Sequence, residues 1–68
     1  MIKVRSMMTK DVITVSKESN IMEAAKLMTS KVVSSLVVVD NGKPVAIVSE
    51  GDVIKGLVSD KKKVRDII

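Results

Sequence analysis

Residues 36–48 read Leu-Val-Val-Val-Asp-Asn-Gly-Lys-Pro-Val-Ala-Ile-Val, and this stretch predicts a β-hairpin. Two apolar, valine-rich runs flank Asn41-Gly42, a dipeptide that suits the positive φ angles of a two-residue type I′ turn. The first run, Leu36–Val39, is apolar at every position, as in a central strand with neither face in water. Pro44 is tolerated because it opens the return strand, which we expect over residues 44–48.

The segments on either side predict one more strand and two helices. Residues 12–15, Val-Ile-Thr-Val, are typical of a short first strand. Asn20 and Glu23 have the spacing of a capping box, and apolar residues then recur at helical intervals over about residues 21–30. Ser49 is a candidate cap for a second helix. The predicted apolar stripe of that helix comprises Val53, Ile54, Leu57 and Val58.

The predicted order is therefore β-α-β-β-α, an α/β (α+β) unit with a small three-stranded sheet and two helices. Strands one and two are joined through a helix, so we expect them to be parallel or near neighbours with a right-handed crossover. Two helices cannot cover both faces of the sheet, so some apolar surface is left for another partner. Gly56 lies inside the second helix and costs it about 1 kcal/mol relative to alanine.

The composition narrows the classes of function. A chain of 68 residues buries only about 60% of the surface that its unfolded form exposes. Such a chain usually needs further stabilisation from disulfides, a metal ion or a partner chain. Cysteine and histidine are absent, which removes disulfides, the commonest metal ligand and the commonest general base. We therefore expect a partner chain to stabilise the fold. No nucleophile is paired with a base, and no phosphate loop is present, so we expect no enzyme activity and no required cofactor.

Composition also narrows the classes of partner. The chain has no Phe, Tyr or Trp on which single-stranded nucleic acid could stack. Its net charge of +4 favours anionic partners. No apolar run approaches the 18 or so residues of a membrane span, and residues 1–5 do not look like a signal peptide. We therefore expect a cytoplasmic location and no membrane partner.

The two ends of the chain share a six-residue pattern. Lys3-Val4-Arg5-Ser6-Met7-Met8 is similar to Lys63-Val64-Arg65-Asp66-Ile67-Ile68. This similarity indicates one repeat and the opening of a second, in a unit that normally occurs in series. We therefore predict a single motif over residues 1–68, with its core at about 8–60 and a basic linker at 61–68 that resembles the start of another motif.

Taken in chain order, the predicted strands and helices resemble one motif of the cystathionine β-synthase (CBS) domain family, half of a tandem CBS pair. The matching stretches are residues 11–15, 20–28, 33–40 and 42–53, with 64–68 similar to the lead-in of a next motif. The resemblance implies a β-α-β-β-α unit that pairs side by side with a second one. It also implies a regulatory module that binds AMP, ADP, ATP or S-adenosylmethionine in the cleft between motifs.

The resemblance also implies roles for individual residues. Ser49 is expected to contact phosphate or ribose, and Asp52 to accept hydrogen bonds from the ribose hydroxyls. The adenine is expected to be held near the first strand, with a wall completed by the second and third strands. The further candidate ligand contacts that the resemblance implies are Thr9, Asp11, Val12, Ile13, Ser34, Val37, Ala46 and Ile47.

Each of these residues also has a simpler interpretation. Ser49 and Asp52 are equally suited to capping the second helix, and the apolar candidates to packing in the core. Glu50 adds a second negative charge at the helix start, so a bound phosphate would need lysines nearby. The candidate counter-charges are Lys10, Lys17 and Lys31.

The sequence departs from the family pattern at three positions. Val37 stands where a proline is frequent, and Ala46 where a glycine is frequent, which adds a methyl group beside the expected ligand. Gly51 stands where an arginine is frequent, which removes a partner for phosphate.

Three hypotheses follow from the sequence. The first is a non-catalytic regulatory module that forms a homodimer, or pairs with a second CBS motif of a longer chain, and binds an adenosine-type ligand. The second is a structural dimerisation unit without a ligand. The third is weak nucleic-acid binding through the basic cluster Lys61–Lys63 and Arg65, which is less favoured because no recognition helix accompanies it.

Overall fold

The computed structural model describes residues 12–68 and confirms the predicted order β-α-β-β-α. A short 3₁₀ helix, Val64–Ile67, follows these five elements. In chain order the elements are β1 (Thr14–Ser16), α1 (Ile21–Lys31), β2 (Ser35–Asp40), β3 (Lys43–Ser49) and α2 (Glu50–Val58).

Strand β2 lies at the centre of the sheet, as its apolar sequence predicts. It pairs in parallel with β1 and antiparallel with β3, so the sheet is mixed. Asn41 and Gly42 have φ angles of 53° and 79°, the positive values that a type I′ turn requires. The register shifts between Val38 and Val39, which places Val39 opposite Pro44.

Strand β1 is displaced from its predicted position. Pairing with β2 begins at Thr14, opposite Val37, so Val12 and Ile13 precede the strand instead of opening it. Ile13 still contributes its carbonyl oxygen, which accepts a hydrogen bond from the Val37 N–H at 3.0 Å. The prediction of residues 12–15 was wrong at both ends because apolar character alone does not say where the partner strand starts.

One face of the sheet packs against the helices and forms the core. The other face is only partly covered: Val37 is half-buried, and Ile47 beside it is 70% exposed. This confirms that the two helices leave apolar surface uncovered. The core consists of Val15, Ile21, Ala24, Met28, Leu36, Val38, Val48, Val53 and Val64.

Helix α2 contacts the core through Val53, as predicted, but the other three residues of the predicted stripe are exposed. Val53 and Gly56 are buried, whereas Ile54, Leu57 and Val58 are 59%, 38% and 82% exposed. Gly56 explains the difference, because a Cβ atom at this position would lie 2.7 Å from Ile67 Cγ2. The missing side chain therefore lets α2 approach its neighbours closely along the Val53–Gly56 face.

Residues 62–67, here called the terminal strap, pack against the rest of the unit. The Ile21 N–H donates to the Lys62 carbonyl oxygen, and the Val64 N–H donates to the Ser19 carbonyl oxygen, both at 2.9 Å. Val64 is completely buried. The packed core thus includes Val64.

Helix α1 ends at Val32, whose backbone is left-handed with φ 55° and ψ 51°. A β-branched residue is disfavoured there, and Val32 is 88% exposed, so its side chain gains little from packing. We expect Val32→Gly to raise the free energy of unfolding by about 0.5–1 kcal/mol, since relief of the left-handed penalty exceeds the entropy cost of glycine. Urea denaturation measures the change.

Val58→Gly is the matched control for this substitution. Val58 is also a highly exposed valine at the end of a helix, but its φ is not positive. Glycine there should lower the free energy of unfolding by about 0.5–1 kcal/mol. Equal destabilisation by both substitutions would contradict the interpretation of Val32.

Candidate functional site

Ser49 and Asp52 form a reciprocal hydrogen-bonded cap at the start of α2. The Ser49 N–H donates to Asp52 Oδ2 at 2.8 Å, and the Ser49 hydroxyl donates to the same oxygen at 3.0 Å. The Asp52 N–H lies 3.3 Å from Ser49 Oγ, which accepts its hydrogen bond. Within residues 12–68, no hydrogen bond reaches Asp52 Oδ1. The cap therefore uses one carboxylate oxygen and leaves the second available to a ligand.

These contacts favour the ionised form of Asp52. The hydrogen bond from the Ser49 backbone, then that from its hydroxyl, lower the pKa of the Asp52 carboxyl below its ordinary value of 3.8, and the charge of Lys55 adds to the effect. The negative charge of Asp52 also lies in the first turn of α2, where the helix dipole favours it.

The lowered pKa predicts how the stability of the cap depends on pH. An acid whose pKa is lower in the folded state contributes stability above its unfolded pKa, and loses it as pH falls through the folded value. The free-energy difference between the wild type and Asp52→Asn should therefore be constant near neutral pH and shrink below about pH 4. Urea denaturation at several pH values tests this expectation.

Ser49→Ala serves as the control in the same experiment. It removes the hydroxyl hydrogen bond but keeps the backbone N–H, the larger cause of the lowered pKa. Part of the pH dependence should therefore remain. A wild-type advantage over Asp52→Asn that does not change between pH 7 and pH 2.5 would contradict the assignment.

A small cavity of about 190 Å³ lies beside Asp52 and is lined by two lysines, Lys55 and Lys61, that the sequence did not assign to the site. Lys55 follows Asp52 by three positions, a spacing that places both side chains on one face of the helix. Lys61 comes near through the turn after α2, which sequence spacing does not reveal. The cavity is lined by Asp52, Lys55, Gly56, Ser59, Lys61 and Ile67.

Two of the lysines proposed from sequence as counter-charges, Lys17 and Lys31, lie in the part of the chain that the structure describes. Lys17 Nζ is 3.3 Å from Asp40 Oδ2 and is thus engaged in an ion pair. Lys31 ends helix α1. Lys10 lies outside the described residues.

Ser34 is linked to the start of α2 through its backbone. Its carbonyl oxygen accepts a hydrogen bond from the Glu50 N–H at 3.0 Å, which places the start of β2 next to the helix. An open cavity of about 370 Å³ lies at this junction, between the end of α1 and α2. Its lining residues are Met28, Thr29, Val32, Val33, Ser34 and Glu50.

The apolar candidates separate into two groups. Val37 and Ile47 are paired neighbours on the partly covered face of the sheet, in one row with Thr14. Ile13 and Ala46 pack instead against the core. Since successive strand residues point to opposite faces, these two groups cannot form one wall within a single motif.

Of the remaining predicted residues, Val12 lies in the part of the chain that the structure describes. Val12 is 51% exposed and precedes β1. Thr9 and Asp11 are outside the described residues. The structure also shows where two residues that differ from the family pattern lie. Ala46 directs its methyl group to the core, and Gly51 is exposed in the first turn of α2.

Two acidic residues pair with three of the four cations of the basic cluster. Lys63 Nζ lies 3.6 Å from Glu18 Oε1, and Arg65 Nη1 lies 3.2 Å from the same oxygen. Lys62 Nζ is 3.7 Å from Asp60 Oδ1. These pairings disfavour a continuous positive surface for phosphate backbones.

Over residues 12–68, no helix is long and apolar enough to cross a membrane. In the same part of the chain, no group of three or more acidic residues is placed to hold a metal ion. The polar chemistry described above is thus centred on Ser49, Asp52 and the two nearby lysines.

Comparison with known proteins relates this chain to one family. The CBS domain family matches residues 4–59. The uncharacterized protein MJ1404 of Methanocaldococcus jannaschii is 42% identical over 62 residues, covering 90% of this chain and 15% of that protein. The chain thus spans a small part of this relative.

Solved structures share the fold. OpuCA of Staphylococcus aureus superposes with a TM-score of 0.78 and 28% identity, covering 84% of this chain and 49% of that one. The CBS domain pair of protein MJ0100, in complex with 5′-methylthioadenosine and S-adenosyl-L-methionine, has a TM-score of 0.74 and 37% identity, with 82% and 48% coverage. This chain therefore spans about half of each solved chain.

Proposed function

Because this chain belongs to the CBS domain family, we propose that it is a non-catalytic regulatory module that binds an adenosine-containing ligand between two paired motifs. The carrying observation is the Ser49–Asp52 cap, which holds an ionised carboxylate at the start of α2 and leaves Oδ1 available. A carboxylate with a free oxygen can accept a hydrogen bond from a ribose hydroxyl, and charge-assisted bonds of this kind are short and strong.

The charges around the cap favour a particular orientation of the ligand. Glu50 and Asp52 make the helix start negative, which suits ribose hydroxyls and opposes a phosphate at the same point. Lys55 and Lys61, which line the cavity beside Asp52, could balance an anionic group of the ligand. We therefore place the ribose at Asp52 and the phosphate or carboxylate toward the lysines.

The partly covered face of the sheet supports the pairing of two motifs. Ile47 is 70% exposed and adjoins Val37, and Val45 of the same strand is 51% exposed. Burying such side chains against a partner contributes about 25 cal/mol per Å² of apolar surface. We propose a second copy of this chain, or a second motif of a longer protein, as the partner. The ligand would then lie between the two units.

Asp52→Asn tests ligand binding. The substitution keeps the shape of the side chain but removes its charge, so at least one charge-assisted hydrogen bond to the ribose is weakened. We expect the affinity for the bound compound to fall about 10- to 100-fold, which corresponds to about 1.5–3 kcal/mol. Calorimetric titration with AMP, ATP, S-adenosylmethionine and 5′-methylthioadenosine measures the change.

Asp60→Asn is the matched control in this titration. Asp60 is an exposed acid after α2, with 93% of its side chain accessible and no place in the cap. Its replacement should leave the affinity unchanged, and circular dichroism confirms that both variants are folded. Equal affinity of Asp52→Asn and wild type, or no uptake of any of the four compounds, contradicts the proposal.

The exposed β3 side chains also favour a second candidate function, a pairing unit that binds no ligand. Native mass spectrometry with and without the same compounds separates the two. A dimer that carries bound nucleotide supports the regulatory module, whereas a dimer that stays bare supports the pairing unit. A monomer under all conditions contradicts pairing between copies of this chain.

A further inference from the structure

The terminal strap occupies a well-defined receiving site, here called the socket: the backbone of residues 17–21 together with Gly56. Beyond the two bonds of Lys62 and Val64 described above, the Arg65 N–H donates to the Lys17 carbonyl oxygen at 2.9 Å. These backbone hydrogen bonds can be made by any residue type other than proline at the donor positions. Side chains must therefore supply the selectivity of the socket.

Three side-chain requirements can be read from the contacts. A valine-sized apolar group is needed at position 64, because that side chain is completely buried. Positive charges are favoured at positions 63 and 65, since both side chains lie within 3.6 Å of the Glu18 carboxylate. A slim apolar side chain is needed at position 67, because it packs against the bare backbone of Gly56.

Residues 3–8 meet the same requirements. Val4 corresponds to the buried valine, Lys3 and Arg5 to the two cations, and Met7 to the apolar residue over Gly56. Asp66, whose Oδ2 accepts a hydrogen bond from the Lys63 N–H at 3.0 Å, corresponds to Ser6, which also carries an acceptor oxygen. The six-residue repeat is therefore a repeat of the groups that the socket contacts.

We infer that the socket recognises this six-residue pattern rather than the C-terminal segment alone, and that residues 3–8 of a second copy bind it when its own strap leaves. Each copy has one socket and two segments that fit, so residues 3–8 bind a second copy where the strap of that copy has left its socket. The inference deepens the pairing proposed above and rests on it for the second copy, but it requires no nucleotide.

The first test uses a fluorescent peptide of residues 1–10 and the full-length variant Val64→Ala. The variant weakens the strap by removing most of its buried side chain, so the peptide should bind it about tenfold more tightly than it binds the wild type. A peptide carrying Val4→Asp should not bind, because the socket cannot accept an unpaired charge at the buried position. Fluorescence anisotropy without nucleotide gives the affinities.

The second test covers the case in which Val64→Ala does not fold. Arg65→Ala removes only an exposed ion pair with Glu18, so the core stays intact while the strap loses a contact. The peptide should again bind this variant more tightly than wild type. Binding of neither variant, or equal binding of the Val4→Asp peptide, overturns the inference.

A control separates this result from the proposed pairing through the sheet. Ile47→Asp lies on the partly covered sheet face, away from the socket residues, and should weaken sheet-mediated pairing without changing peptide binding. If peptide binding fails while the wild type still dimerises through the sheet, only the socket inference is rejected. If the wild type stays monomeric but the peptide binds, only the sheet-mediated pairing is rejected.

Discussion

Gly56→Ala is expected to lower the free energy of unfolding by about 1–3 kcal/mol, the usual cost of forcing extra atoms into a packed core. The new Cβ would lie 2.7 Å from Ile67 Cγ2 and 3.0 Å from Ile21 Cδ1. Alanine is the better helix former by about 1 kcal/mol, so helix propensity alone predicts the opposite sign. We expect steric overlap to dominate, because Ile67 Cγ2 is attached directly to Cβ and moves only by rotation about χ1, which β-branching restricts. Urea denaturation measures the result.

Gly51→Ala is the matched control in the same helix. Its added Cβ would meet only Ser49 Oγ, at an ordinary contact distance of 3.7 Å. This substitution should be neutral or stabilising by a few tenths of a kcal/mol. In addition, Ile67→Ala should recover part of the loss when combined with Gly56→Ala, because the two side chains compete for one space. Stabilisation by Gly56→Ala alone would refute the close approach.

Leu36→Ala should lower the free energy of unfolding by about 2–5 kcal/mol, the range for a buried leucine that leaves a cavity. Leu36 is 1% exposed and belongs to the core cluster between the sheet and the helices. In a domain of this size, a loss in that range unfolds a large fraction of the molecules. Thermal and urea denaturation followed by circular dichroism measure the change.

Ile47→Ala is the comparison that separates folding from association. This substitution removes as many carbon atoms as Leu36→Ala does. Ile47, however, is 70% exposed on the other face of the sheet. Its replacement should change the unfolding of an isolated unit by less than about 0.5 kcal/mol. It should still weaken pairing measured by sedimentation. Similar destabilisation by both substitutions at a protein concentration where the chain is monomeric would contradict the assignment of the two faces.

The hairpin and first helix could be predicted because their signals are local. Asn41-Gly42 requires a particular turn whatever surrounds it, and its two positive φ angles are observed. The predicted start of α1 at Ile21 is likewise confirmed, with the Asn20 N–H donating to Glu23 Oε1 at 2.9 Å. In both cases the residues that form the element also make the contacts that fix it.

Helix α2 shows where local patterns fail. Ile54, Leu57 and Val58 have helical spacing and apolar character, yet the buried face is centred on Val53 and Gly56. A glycine has no hydrophobic signal, so hydropathy cannot reveal that its bare backbone is a contact surface. The burial of Val64 was missed for a related reason: its neighbours are charged, and only the long-range contacts show that the valine enters the core.

The candidate site likewise has a part that the sequence predicts and a part that it does not. The Ser49–Asp52 interaction is a cap within four residues, so its spacing predicts its geometry, and both hydrogen-bonding directions are present. The role of these residues toward a ligand stays a prediction. The sequence places Lys61 only in the basic cluster, because its approach to Asp52 depends on the turn after α2.

The terminal strap also has a consequence for the lifetime of the folded state. It joins parts of the chain far apart in sequence, as the contact between Arg65 and Glu18 across 47 positions illustrates. Closing so long a loop costs more entropy than closing the two-residue hairpin, so the strap is expected to dock late in folding. Contacts that form after the transition state slow unfolding and scarcely change the folding rate. The strap would then act as a latch, which determines how long the unit stays closed more than how quickly it forms.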